Sequence, residues 1–256
     1  MADKIKSASR KIESEFETPP LLSDVVYSLT QDEEKRKSCL SLLETAVRYF
    51  CFMDLYQETG DEDYRGEYER QRTSLFAELD VENQRKLKEV EDEILYSWNY
   101  WNLERSLKRR IQVGSHFSEQ EAEDYILKKS GDAVLYGTIA GLHYDLPSGL
   151  IGVIHKRQAL ADLVDDVKDY EEDLESRQPN IMVLYFLNQG ISSYPNDFQH
   201  ALEISKELGI AEMIIRFGKK LCQTALDVKE INQIPLLKQG IEDKYHLLRS
   251  LLDNVQ

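Results

Sequence analysis

Proline is scarce in this chain, with six in 256 residues at positions 19, 20, 147, 179, 195 and 235. Three long stretches are thereby left without a helix breaker. No convincing pair of period-2 segments occurs, which argues against a sheet as the organising layer. No apolar run approaches the roughly 18 residues of a membrane span. The opening Met-Ala-Asp-Lys-Ile has no signal-peptide core, so no stable membrane insertion is expected. Cysteine is limited to Cys39, Cys51 and Cys222, an odd number without metal-ligand spacing. That predicts reduced thiols in a cytoplasmic protein. A phosphate-cradling glycine loop, an HExxH and a Gly-x-Ser-x-Gly are absent as well. The histidines, His116, His143, His155, His200 and His246, supply no Glu-x-x-His pair, which argues against a di-iron bundle.

Basic residues are also in deficit. Thirty-two Lys and Arg face 47 Asp and Glu, a net charge of -15, which disfavours nucleic acid and anionic lipid as partners. An anionic ligand remains compatible with this charge if metal ions stand between it and the carboxylates. With 41% hydrophobic and 31% charged residues, the chain has the composition of a folded globular protein rather than a disordered one.

What fills the proline-free stretches is helical periodicity. A short amphipathic helix is expected over 21–29, then helices over 32–58, 64–78 and 81–111. Ser118 and Glu121 form a capping box for a helix ending near Lys129. Further helices are expected over 132–143, from Pro147 to about Glu175, from Asn180 to Gly190, and over 197–208, 211–230 and 236–252. About ten helices in one all-α domain spanning 1–256 is the expected architecture, since no repeat or linker divides them.

Two of these helices carry acids in an informative arrangement. In Asp162-Leu-Val-Asp165-Asp166-Val-Lys-Asp169-Tyr-Glu-Glu172-Asp173, a continuous helix at about 100° per residue puts six acids, Asp162, Asp165, Asp166, Asp169, Glu172 and Asp173, on one arc about 120° wide. Like charges one turn apart repel by a few tenths of a kcal/mol per pair, roughly 0.2–0.5. A solvated face explains the arc, because Leu160, Leu163, Val167, Tyr170 and Leu174 lie opposite. The wall of an apolar cavity with a charged mouth explains it too, because the same helix begins apolar nearly all round, with Leu150, Ile151, Val153 and Ile154. Asp54 and Glu58, one turn apart, continue a stripe of Leu40, Leu43, Val47, Phe50 and Cys51 rather than opposing it. Carboxylates at the end of an apolar interior are costly alone. Magnesium would relieve them, since it takes a few carboxylate oxygens and completes its shell with water and phosphate.

These residues resemble the squalene and phytoene synthase branch of the class I isoprenoid synthase family. Asp165-Asp-Val-Lys-Asp169-Tyr-Glu-Glu-Asp173 is similar to the second aspartate-rich motif of that group. It also fits the i, i+4, i+8 spacing of the terpene synthase metal triad. Asp54-Leu-Tyr-Gln-Glu58 stands where the first motif should be, and Leu135-Tyr-Gly-Thr-Ile-Ala140-Gly141-Leu142 is similar to the Tyr-Cys-x-x-Val-Ala-Gly segment between them. The likeness covers about residues 40–190. The first motif lacks the closing Glu-Asp pair of head-to-head synthases and the arginine just before it. The tyrosine of the middle segment is displaced to Tyr136.

The resemblance therefore implies a single-domain isoprenoid synthase-type helical bundle around a central apolar cavity, with the chemistry of a small terpene synthase. Asp54, Glu58, Asp165, Asp169 and Asp173 would hold magnesium, three ions in the family, with Asp54 and Asp169 central to catalysis. Lys168, Arg48, Arg177, Lys244 and Tyr245 would contact the diphosphate. Phe50, Trp98, Trp101, Tyr136, Gly137 and Gly141 would line the pocket, the glycines by a helix break or by close packing. The substrate would be a C15 or C20 allylic prenyl diphosphate, ionised and then cyclised with release of pyrophosphate. A prenyltransferase joining two prenyl diphosphates and a non-catalytic helical interaction protein are the alternatives. Family members often form homodimers, which leaves the oligomeric state open.

Overall fold

The computed structural model describes residues 18–77, 79–94 and 100–253. Among these the chain is all-helical, with thirteen α-helices, one 3₁₀ helix and no strand. Among the described residues no helix is long and apolar enough to cross a membrane. The chain divides into two compact units whose segments alternate along the sequence: Met1–Glu93 with Asp132–Ile151, and Ile94–Gly131 with Gly152–Gln256.

The first unit contains α1 (Thr18–Thr30), α2 (Glu33–Thr59), α3 (Glu62–Ala77), α4 (Val81–Asp92) and α7 (Asp132–Tyr144). The long α2 begins where Asp32 accepts hydrogen bonds from the Glu34 and Lys35 amides, and ends where Gly60 turns left-handed at φ 68°. Those are the two signals that define helix ends, an N-cap acceptor and a C-terminal glycine. Helix α2 packs against α1, α3 and α7, and α4 packs against α7. A buried polar knot ties three of these helices together. Glu91 of α4, 3% exposed, takes Arg72 of α3 in a fork at 2.6 and 2.7 Å and Tyr49 of α2 at 2.5 Å. Lys88 adds a fourth donor at 3.0 Å. The carboxylate has several donors to satisfy its oxygens, which is what allows it to be buried while charged.

The second unit contains α5 (Tyr100–Gln112), α6 (Glu119–Lys129), most of α8 (Ser148–Lys168), α9 (Tyr170–Ser176), α10 (Ile181–Asn188), α11 (Phe198–Glu207), α12 (Ile210–Leu226), the 3₁₀ turn Lys229–Gln233 and α13 (Pro235–Asp253). Helix α10 is apolar all round, and Ile181 to Leu187 are all buried, as such a helix must be. It packs on α5, α6 and α12. The Ser118–Glu121 capping box is present in full at the start of α6.

Several expected boundaries move by a residue or two, and two expectations change in kind. The helix expected over 81–111 is described as α4 and α5, and its middle at 95–99 lies outside the described residues. The helix expected from Pro147 to Glu175 is not continuous. It breaks at Asp169, whose backbone sits at φ -90°, ψ 15° between α8 and α9.

Candidate functional site

The break at Asp169 is a kink rather than a gap. The Asp169 amide still reaches the Asp165 carbonyl at 2.8 Å, and the Asp173 amide still reaches the Asp169 carbonyl at 2.8 Å. The acidic segment therefore keeps its one-turn spacing through Asp165, Asp169 and Asp173.

The six acids do not share one environment, which corrects the single arc. Asp166 is 1% exposed. One of its oxygens accepts from Lys129 at 2.6 Å and the other from the Ile181 amide at 2.9 Å. Asp162 accepts from the Ser130 hydroxyl, and from Gln158 Nε2 at 2.9 Å. Burial lifts both carboxyls above the usual range, and Lys129 opposes the lift in each. These two acids serve the fold. Asp165, Asp169 and Glu172 are exposed, and Asp173 is half-buried. Asp165 and Asp169 make no ion pair among the described residues.

The electrostatics of this group follow from crowding. Asp165 reaches solvent, but the protein around its base still raises its carboxyl, with Lys244 and then Lys168 pulling it back. Burial pushes the Asp173 carboxyl up to about 6, opposed by a hydrogen bond from Asn180 and reinforced by the charges of Asp166 and Asp169. Such repulsion between carboxylates is the condition a divalent cation relieves. Aspartate oxygens are the hard donors magnesium prefers. As placed, no three Asp, Glu, His or Cys side chains among the described residues converge into a coordination sphere. The fit is one of donor chemistry.

Of the expected diphosphate contacts, Lys168 is exposed on the last turn of α8, and Lys244 lies half-buried on α13 within electrostatic reach of Asp165. Arg177 is exposed and ends α9 in the left-handed region at φ 57°, a conformation glycine usually takes. Tyr245 is half-buried, its ring 6.0 Å from that of His246.

The other expected site residues belong to the first unit. Asp54 and Phe50 are half-buried on α2, and the Phe50 ring meets Tyr136 edge-on at 6.5 Å. Tyr136 is wholly enclosed, and its hydroxyl has no hydrogen-bond partner among the described residues. Burial raises that phenol well above its ordinary value, with smaller pushes from Asp132, Cys51 and Asp54. Arg48 is half-buried and helps hold down the Glu67 carboxyl, behind the larger effect of the Arg70 hydrogen bond. That places it toward α3.

Gly137 and Gly141 do not break α7, which runs continuously through both. Tight packing is found at the first and ordinary contact at the second. A Cβ on Gly137 would come within 3.3 Å of Ile151 Cγ2, and one on Gly141 within 3.6 Å of Ile151 Cδ1. The side chains of Glu58 and Trp101, and the whole of Trp98, lie outside the described residues. A groove of about 230 Å³ lies between α2 and α3, lined by Ser38, Ser41, Leu42, Thr45, Ser74 and Leu75. Its hydroxyl-rich wall is not the apolar cavity expected from the sequence.

Two residues escaped the sequence reading. Lys129 acts on Asp162, Asp165, Asp166 and Asp173 alike, yet it stands some 35 residues away in sequence. Only the approach of α6 to α8 reveals it. Asn180 was legible as a helix start, while its hydrogen bond to Asp173 was not. Comparisons with family models, with curated proteins and with solved structures give no match to this chain.

Proposed function

We propose that this protein is a class I terpene synthase that uses magnesium to ionise an allylic prenyl diphosphate, C15 or C20, and cyclises the resulting carbocation with release of pyrophosphate. The observation that supports this most directly is the sorting of the acids at the α8–α9 kink. Asp162 and Asp166 are satisfied by Ser130, Gln158, Lys129 and the α10 backbone, whereas of the i, i+4, i+8 series Asp165 and Asp169 face solvent and Asp173 takes one hydrogen bond, from Asn180. A purely solvated face has no need for that division.

In this reading Asp165, Asp169 and Asp173 hold the ions. Bound magnesium supplies Lewis acidity that stabilises the departing diphosphate. Lys244 and Lys168 both act electrostatically on Asp165 and would neutralise diphosphate oxygens directly. Asp54 and Glu58 take their metal-binding role, and Phe50 and Tyr136 their pocket role, from the resemblance alone. Aromatic faces suit a carbocation by cation–π attraction, and an enclosed site protects it from water.

The test is incubation with magnesium and each of the C10, C15, C20 and C25 prenyl diphosphates, with extracts read by gas chromatography–mass spectrometry. The expected outcome is a magnesium-dependent hydrocarbon or alcohol with the carbon count of one substrate. Asp169→Ala should lower its yield by at least about 100-fold, because a lost ligand weakens a stabilisation worth several kcal/mol. A product of doubled carbon count would instead identify the joining transferase. Folded protein giving no product from any of the four would leave the helical interaction protein.

A further inference from the structure

We draw no further inference here: the strongest candidate, the groove between α2 and α3 walled by Ser38, Ser41, Thr45 and Ser74, is a stripe of small hydroxyl side chains, and nothing in the structure shows what covers it.

Discussion

Two glycines in helix interiors show how position decides the sign of an identical substitution. Gly66 lies exposed within α3, and an added Cβ would meet nothing within 4 Å. Gly66→Ala should stabilise the protein by about 0.5–1 kcal/mol through helix propensity. Gly218 lies buried on α12, where a Cβ would collide with Leu248 Cδ2 while meeting Leu163 and Leu160 at ordinary contact distance. Overpacking costs about 1–3 kcal/mol against the same propensity gain, so Gly218→Ala should be destabilising by about 1 kcal/mol. Urea titrations of both variants check the opposite signs. The sequence shows two helical glycines and cannot separate them, because the difference lies in Leu248, brought in from α13.

At the scale of the element, the caps were legible and the kink was not. Asp32, Ser118, Asn180 and Asp197 each precede an apolar-periodic run and each accepts an amide of the first turn, a local interaction that needs no tertiary partner. Asp169 offers no such signal, since neither proline nor glycine stands near it.

The α6 cap gives a pH prediction. Arg110, with help from the Ser118 backbone, holds the Glu121 carboxyl down to about 2. An unfolded glutamate titrates near 4.3, so Glu121 contributes stability that is complete above that value and is lost as pH falls through about 2. Glu121→Gln should lower the thermal midpoint at pH 7 and show a shallower fall between pH 5 and pH 2.

The knot on Glu91 joins elements in a similar way with higher stakes. Removing one partner of a buried ion pair costs about 3–5 kcal/mol. Arg72 is 33% exposed and can rehydrate in part, so Glu91→Ala should cost about 3 kcal/mol in a denaturant titration. Nothing in the spacing of Tyr49, Arg72 and Glu91 foretells that they meet, because each lies on a different helix.

For the whole molecule, the charge of -15 sets a long-range repulsion that local ion pairs do not cancel. Most of those pairs are exposed i, i+3 or i, i+4 contacts such as Lys86–Glu82 and Arg249–Asp253, each worth about 0.3–0.5 kcal/mol. Raising sodium chloride from about 10 to 150 mM shortens the screening length from about 30 to 8 Å, which weakens the summed repulsion more than these short contacts. The thermal midpoint should rise over that range, and differential scanning calorimetry at fixed pH checks it.

The sequence by itself determined the all-helical class, the approximate span of most helices and their caps, because hydrophobic period, proline placement and capping act over a few residues. It also determined that Asp165, Asp169 and Asp173 recur at one-turn spacing, since that is a count along the chain. Tertiary structure alone decided which acids those are in physical terms. Lys129, Ser130 and the α10 backbone claim Asp166 and Asp162, Asn180 holds Asp173, and Asp165 and Asp169 are left facing solvent. A carboxylate's character is set by its desolvation and its partners, and here those partners arrive from helices distant in sequence.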